Sequence, residues 1–203
     1  MFVKNKEMYH FHNNSNYDSM WQVGNTVDNS KNFISDYFKT LLDFKPNVFV
    51  PQEKDYFPLD LVIDEFLQVN QPTEVYIALL KLSSGFLKNY EIMKREIALE
   101  EYRELHFPNL PSRKQAIWLL DEEQLDFWMQ ELEIKERNGS LFKVSVTGEL
   151  FKTCDTFLPE KKMSLLESYQ YAEKYWNPDF TQVDESKTEY LFQGKTKILE
   201  KIL

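Results

Sequence analysis

Glycine and cysteine are both scarce in this chain of 203 residues, which has five glycines and a single cysteine. The glycine-rich loops that cradle phosphate, GxGxxG and GxxxxGK followed by Ser or Thr, do not occur in the sequence. Because Cys154 has no second cysteine to pair with, an intrachain disulfide is excluded, and so is a structural zinc site built from cysteines. We expect Cys154 to be a small core or near-surface residue.

Long apolar stretches are also missing. No run approaches the roughly 20 residues that a transmembrane helix needs, and the first seven residues, MFVKNKE, lack the apolar stretch of a signal peptide. The formal net charge of −9 disfavours contact with nucleic-acid backbones and with anionic lipid. The sequence therefore predicts a cytoplasmic protein with neither a nucleic-acid nor a membrane partner.

The chain does contain ample material for a core, because 42% of its residues are hydrophobic and 15% are aromatic. Its length suits one domain. The predicted strands are short and few, and helical patterns separate them, which favours an α+β class with a small, mostly antiparallel sheet. We predict a single domain over residues 1–203 with a helical insertion at about 59–105.

Periodicity and breaker residues predict the individual elements. Helical spacing predicts helices at 33–44, 59–69, 72–105 with a break at Ser83-Ser84-Gly85, 121–132 and 164–176. Alternation predicts strands at 6–11, 116–120 and 141–152 with a turn at Gly148, a short extended piece before Val27, and a terminal hairpin that turns at Gln193-Gly194. Breakers and polar residues predict an irregular connection at 45–58, a loop at 12–16, a turn at Asn138-Gly139, and Ser30 or Asn32 as a helix cap.

Two histidines, His10 and His12, are two positions apart, so on a strand they would face the same side, since side chains alternate along a strand. With a carboxylate they would bind a metal, which defines a metal-dependent hydrolase as one alternative. The sequence has no HExxH motif and no third ligand at metal-site spacing, so we assign no metal ligand. It also lacks the GxSxG elbow that a serine nucleophile requires.

Two charged residues beside predicted strands are candidates for binding. Arg113, after Ser112, comes just before a predicted buried strand, where a guanidinium can bind phosphate in a bidentate manner. The alternative is that Arg113 binds carboxylates of the acidic helix that precedes it. Glu189 begins the last alternating run beside aromatic residues, and either faces a cleft or is an exposed residue at a strand end. The aromatic cluster on the 164–176 helix is explained by core packing.

A series of short motifs is distributed along nearly the whole chain. The central motifs are Arg95-Glu96, Glu100-Glu101-Tyr102-Arg103, Phe107-Pro108-Asn109-Leu110-Pro111-Ser112-Arg113 and Trp118. The flanking motifs are Tyr9-His10, Trp21-Gln22-Val23-Gly24, Ala172-Glu173-Lys174-Tyr175-Trp176 and Glu189-Tyr190-Leu191-Phe192-Gln193-Gly194. In this order they resemble a bacterial family known as domain of unknown function 2441.

That family is in turn remotely similar to the ADP-ribosyltransferase-like fold, which includes small enzymes that modify rifamycin antibiotics. Those enzymes begin with a Tyr-His strand followed by a Val-Gly-Asp turn, much as Tyr9-His10 precedes Val23-Gly24-Asn25 here. The resemblance implies an ADP-ribosyltransferase-like fold and NAD as the bound substrate. The helical region at about 59–105 has no counterpart in the smallest of these enzymes.

The resemblance also implies roles for five residues. His10 would bond the adenosine ribose hydroxyls, and Ser112 and Arg113 would lie near the pyrophosphate. Trp118, where the family of enzymes has Tyr, would pack on nicotinamide. Glu189 would be the catalytic residue, bonding the nicotinamide ribose 2′-hydroxyl and stabilising the oxocarbenium-like transition state.

Two functions of different classes follow. The first is an NAD-dependent ADP-ribosyltransferase that modifies an unknown acceptor, a protein or a small molecule, as toxins and defence effectors do; it requires a cleft where His10, Arg113 and Glu189 converge. The alternative is a non-catalytic module on the same scaffold that binds a nucleotide or a protein. Solvent-exposed Tyr175 and Trp176 on an apolar patch would favour the protein partner.

Overall fold

The structure is a computed structural model that describes residues 1–12, 19–30, 34–51, 53–69, 72–134, 139–158 and 163–203. The chain divides into two compact units. The first unit combines Met1–Ser35 with Glu96–Leu203, and the second unit is Asp36–Arg95. The prediction of one domain with an insertion at about 59–105 stays a prediction beside this division.

Within the described residues the chain has seven strands and five α-helices, which confirms the α+β class. The strands are β1 (Phe2–His12), β2 (Thr26–Asp28), β3 (Asn47–Val50), β4 (Asp55–Pro58), β5 (Ile117–Leu119), β6 (Ser140–Cys154) and β7 (Thr188–Lys201). The helices are α1 (Asp36–Leu42), α2 (Leu59–Gln68), α3 (Thr73–His106), α4 (Leu125–Glu131) and α5 (Leu165–Trp176). No helix in the described part of the chain has the length and apolar character to span a bilayer.

The first unit is built on one antiparallel sheet that closes on itself. Its hydrogen-bonded order is β1-β6-β7-β2, and β5 also pairs with β7. Tyr9 of β1 and Leu120, directly after β5, exchange two backbone hydrogen bonds of 2.9 Å. These bonds join β5 to β1, so β1, β6, β7 and β5 form a closed circuit of neighbours that we call the strand ring.

The interior of the strand ring is an apolar core. Alternate residues of the long strands point inward, as the period of two requires. The buried inner residues are Met8, Val27, Ile117, Leu119, Phe142, Val144, Val146, Leu150, Tyr190, Phe192 and Ile198. Their burial fixes the register, because a slip of one residue would turn every inner side chain outward.

Two glycines allow β6 and β7 to coil tightly around this core. Gly148 and Gly194 are direct partners in the ladder. A Cβ on Gly148 would lie 2.3 Å from the carbonyl oxygen of Gln193, and a Cβ on Gly194 would lie 2.7 Å from Cα of Gly148. The predicted turn at Gly148 and the predicted terminal hairpin at Gln193-Gly194 are therefore wrong: each glycine permits close approach within a continuous strand.

Helices cover the outer face of the ring. A second apolar core there contains Leu99 of α3, Ala172, Tyr175 and Trp176 of α5, and Leu191 of β7. The α5 helix begins at a capping box, in which Ser164 accepts a hydrogen bond from the Glu167 backbone and Glu167 reaches back to Ser164. Tyr175 and Trp176 are 0% and 2% exposed. They belong to the core, and the exposed aromatic patch that would favour a protein partner is not formed by them.

The second unit contains α1, the β3–β4 hairpin, α2 and the first part of α3. The predicted irregular connection at 45–58 is wrong, because this segment forms the β3–β4 hairpin. Its prolines are tolerated, since Pro51 lies in the turn and Pro58 ends β4, where proline does not interrupt the ladder. The predicted break in α3 is absent: the Ser83 hydroxyl donates to the Leu79 carbonyl at 2.8 Å and is satisfied within the helix.

Most other element predictions are confirmed within a few residues. Asp121 and Gln124 form a capping box that begins one turn of 3₁₀ helix, and this turn leads directly into α4. Cys154 is a buried free thiol at the end of β6. The predicted loop residues 13–16, the cap Asn32 and Asn138 of the predicted turn lie outside the described residues.

Candidate functional site

Aromatic side chains cluster where β1 ends, at one end of the strand ring. Met8 of β1 is an inner residue, so His10 and His12, further along on the same face, point toward the ring interior. The His10 imidazole stacks on Trp21, with centroids 4.1 Å apart, and the His12 imidazole lies 5.3 Å from Trp21. The two imidazole centroids are only 6.0 Å apart, far below the sum of those two distances, so the imidazoles do not lie on opposite faces of the indole.

His10 is a neutral imidazole with a defined tautomer. Its Nδ1 is 2.9 Å from the backbone oxygen of Trp118. A carbonyl only accepts, so Nδ1 carries the proton and Nε2 keeps its lone pair. Burial lowers the pKa of His10 to about 4, with His12 contributing in the same direction, against the hydrogen bond to Trp118, which raises it. His10 therefore offers an acceptor at neutral pH.

A cavity of about 350 Å³ opens at this end of the ring. We call it the ring-end pocket; its described lining residues are His12, Trp21, Gln22, Val23, Ser140, Phe142 and Lys201. The ammonium group of Lys201 lies 6.0 Å from the centre of the Phe142 ring. Among the described lining residues one is a lysine and none is acidic, so the pocket combines aromatic surface with a basic side chain.

Arg113 lies on the opposite, outer side of the sheet and is buried in an ion pair. Its Nε donates to Glu96 at 2.6 Å and its Nη2 donates to the other Glu96 oxygen at 3.0 Å. Burial alone would lower the pKa of Arg113, but the Glu96 carboxylate overcomes it and raises the pKa well above its ordinary value. Both side chains are at most 3% exposed. Arg113 thus makes the contact of the second alternative, in which it binds a carboxylate of the acidic helix that precedes it.

A second carboxylate of α3 holds the segment that carries Arg113. Glu100 accepts from the Ser112 hydroxyl at 2.7 Å and from the Arg113 backbone N–H at 2.5 Å. Its charge is matched by Arg103, whose Nε and Nη2 each lie 3.3 Å from it. Ser112 and Arg113 are thus tied to two glutamates of the preceding helix.

Glu189 joins the same network through a tyrosine. The Tyr175 hydroxyl accepts from Arg113 and donates to Glu189 at 3.2 Å. Burial raises the pKa of Glu189 to about 7, although the charge of Arg113 opposes the shift. Burial also raises the pKa of Tyr175 well above its usual value, so the phenol stays protonated. A carboxyl group that changes charge near neutral pH therefore lies inside the outer core.

Trp118 connects the two sides of the sheet. Its neighbours Ile117 and Leu119 belong to the inner core, so its side chain lies on the outer face, where the Arg113 guanidinium is 5.4 Å from its ring centre. Its backbone carbonyl oxygen accepts a hydrogen bond from His10. The link between His10 and Arg113 is therefore one residue of β5.

The structure brings together some predicted site residues and separates others. Arg113, Trp118 and Glu189 share the outer face with Ser112 nearby, whereas His10 faces the ring interior. The side chains of His10, Arg113 and Glu189 do not line one pocket among the described residues. Within those residues there is also no group of three or more His, Cys, Asp or Glu side chains suited to a metal ion.

Sequence reasoning missed Trp21, Lys201, Glu96 and Tyr175 as members of these sites. Glu96 offered a signal, because it is an acidic residue at a helix position shared with the apolar Leu99, three residues on. Trp21 and Lys201 offered none, since they meet only when the ends of β1 and β7 flank the start of β6.

The chain matches a known protein family. The family described as Protein of unknown function (DUF2441) matches residues 8–203, which includes both the ring-end pocket and the outer network. No curated protein is significantly similar to the chain. Because the match covers nearly the entire sequence, the chain belongs to the DUF2441 family.

Proposed function

We propose that this protein is a nucleotide-binding module whose site is the ring-end pocket. The observation that carries the proposal is the combination of the Trp21 indole, the His12 imidazole and the Lys201 ammonium around one cavity of about 350 Å³. Ligand pockets of roughly 300–1,000 Å³ are usual, and the open ends of closed sheets are common places for them. A cavity of this size suits the mononucleotide half of a ligand such as NAD.

Each component matches one part of a nucleotide. An aromatic face binds a base by stacking, and one face of the Trp21 indole is not covered by the two imidazoles. A lysine binds phosphate as a mobile point charge. His10 acts through Trp21, because it stacks on the indole and is anchored by its bond to Trp118. We therefore regard His10 as a positioning residue.

The outer network supports binding without catalysis. A catalytic Glu189 has to reach the nicotinamide ribose, yet its side chain is 8% exposed and its oxygen is bonded to Tyr175. The Arg113 guanidinium, which the resemblance places near pyrophosphate, is neutralised by Glu96. ADP-ribosyl transfer stays a prediction of the family resemblance, with NAD as its substrate.

Calorimetric titration with NAD and with ADP tests the binding site. Replacing Trp21 with Ala removes a stacking surface worth about 1–3 kcal/mol, and we expect the Kd to rise at least fivefold. The Lys201→Ala variant should weaken binding mainly at low salt, because it removes a phosphate contact. Lys197→Ala is the matched control, since Lys197 is an exposed lysine of the same strand that does not line the pocket.

The same samples test catalysis through the release of nicotinamide from NAD. Binding without nicotinamide release supports the module. Release that is lost in the Glu189→Gln variant would establish cleavage of NAD at the nicotinamide ribose and would overturn the proposal. Binding that persists in both Trp21→Ala and Lys201→Ala would place the nucleotide outside the ring-end pocket.

A further inference from the structure

Two helices of the second unit leave an apolar groove between them. The groove has a volume of about 180 Å³ and is lined by Ile63, Phe66 and Leu67 of α2 and by Tyr76, Leu79, Leu80 and Ser83 of α3. On each helix these residues follow the spacing i, i+3, i+4, which places them on a single face. Two apolar stripes thus face a shared space, which we call the α2–α3 groove.

The stripes remain accessible rather than closing on each other. Leu67 is 68% exposed and Leu80 is 70% exposed. The polar atoms at the groove are used within the unit, because the Ser83 hydroxyl donates to Leu79 and the Tyr76 hydroxyl donates to the backbone oxygen of Val69 at 3.3 Å. The groove therefore presents apolar surface to an occupant and favours apolar side chains over a polar small molecule.

The charges beside the groove have one sign. From residue 59 to residue 80 the chain has four acidic residues and no lysine or arginine. A helix turns by roughly 100° per residue, which places Asp60 and Asp64 beside the apolar stripe of α2, on the side of Leu67. Glu65 points away from that stripe, and so does Lys81 from the stripe of α3. The rim of the groove on the α2 side is thus acidic.

We propose that the α2–α3 groove binds a cationic amphipathic helix of another protein. Helix-in-groove recognition uses apolar anchors at the same i, i+3, i+4, i+7 spacing that the groove residues follow. A helix with leucine-like anchors on one face and lysine or arginine beside them complements both the stripes and the rim. Such opposite charges also accelerate encounter and select against acidic partners. The inference is independent of the nucleotide site.

The test uses a synthetic helix of 18 residues, made of leucine and lysine in amphipathic order, with a fluorescent label. Two control peptides share its length: one has the same composition in scrambled order, and one has glutamate in place of lysine. Fluorescence anisotropy with the full chain should show binding of the amphipathic cationic peptide, weakened by salt, and at least tenfold weaker binding of both controls.

Matched variants locate the binding. Leu67→Ser and Leu80→Ser should each raise the Kd at least fivefold, whereas Leu61→Ser, an exposed leucine on the opposite side of α2, should not. The double variant Asp60→Asn/Asp64→Asn should weaken binding and its salt dependence, while Glu65→Gln/Glu74→Gln, the same change of charge away from the groove, should leave both unchanged. Circular dichroism of each variant checks that the helices are retained.

Three results would overturn the proposal. Binding that is equal in the groove and control variants would show non-specific attraction to an acidic protein. Sedimentation that shows self-association, abolished by Leu80→Ser, would make a second copy the occupant. Equal Kd values for the lysine peptide and the glutamate peptide would show that charge does not select the occupant.

Discussion

At the scale of single residues, Arg113 and Glu96 form a buried ion pair between the segment before β5 and α3. Two hydrogen bonds of 2.6 and 3.0 Å in a buried site form a bidentate pair. Pairing stabilises the charges against desolvation, but a buried ion pair is not in itself more stabilising than apolar packing. The pair joins α3 to the segment before β5, and the Glu96 carboxylate compensates the charge of the guanidinium.

Replacing Arg113 with Met should destabilise the first unit strongly. The change leaves the Glu96 carboxylate buried without its partner, which costs about 3–5 kcal/mol. The double variant Arg113→Met/Glu96→Leu should recover most of this loss, since neither charge remains. Urea unfolding of the single and double variants measures both free energies. A loss of less than about 1 kcal/mol in the free energy of unfolding of the single variant would contradict a buried Arg113–Glu96 ion pair.

Glu189 should make stability depend on pH. Burial raises its folded pKa to about 7, above the ordinary value of 4.5, so the folded state holds the proton more tightly than the unfolded state. Stability from this group is present below about pH 4.5 and is lost as pH rises through 7. In Glu189→Gln, an uncharged analogue, the fall in melting temperature between pH 5 and pH 8 should be smaller than in the wild type. An identical pH dependence in both proteins would contradict the raised pKa.

At the scale of elements, alternation and helical spacing predicted most strands and helices because these signals are local. The failures have a common cause. Gly194 was interpreted as a turn, and Gly85 as part of a helix break, because glycine is frequent at both. At Gly194 the extended conformation depends on its partner Gly148 of the adjacent strand. Near Gly85 the Ser83 hydroxyl is hydrogen-bonded within the continuous helix.

Gly194→Ala should therefore lower the stability of the strand ring. The new Cβ would lie 2.5 Å from the Thr147 carbonyl oxygen, and alanine is strained at the φ of +153° found there. We expect a loss of about 1–3 kcal/mol, as for other overpacked positions. Thermal unfolding measures it. No loss would indicate that β7 turns at Gly194 after all.

Gly85→Ala should have the opposite effect. No heavy atom lies within 4 Å of a Cβ placed at this position, and alanine is favoured over glycine inside a helix by about 1 kcal/mol. The unfolding midpoint of the second unit should therefore rise, with an increase in helical circular dichroism. Gly24→Ala is the contrasting control, because Gly24 has a φ of +93°. A destabilised Gly85→Ala variant would support a break in α3.

At the scale of the whole molecule, the sequence predicted the fold class and the family, but it could not predict which face of the sheet each candidate residue occupies. His10 and Glu189 were both assigned to strands, and the structure places them on strands β1 and β7. Whether two strand residues share a cleft depends on which face each one occupies, and that follows from the pairing of β1 with β6 and of β5 with β7. These contacts join distant segments, so no local pattern encodes them. Trp21 and Lys201, which line the ring-end pocket together, also come from distant segments of the chain.

The four tryptophans provide a direct test of where a nucleotide binds. Trp21 lines the ring-end pocket and Trp118 lies beside Arg113 on the outer face. The other two donate their indole N–H groups to backbone oxygens, Trp128 to Thr188 and Trp176 to Leu99. Each indole N–H gives its own nuclear magnetic resonance signal, so the four signals report on four different places in the first unit.

The most direct measurement is the shift of these indole signals when ADP or NAD is titrated into the full chain. We predict a saturable shift of the Trp21 signal, with the Trp128 and Trp176 signals unchanged. Replacing Trp21 removes its signal and so identifies it, and in Lys201→Ala the shift of the Trp21 signal should need a higher ligand concentration. A shift of Trp118 without Trp21, or no shift at millimolar nucleotide, would contradict a nucleotide site at the end of the strand ring.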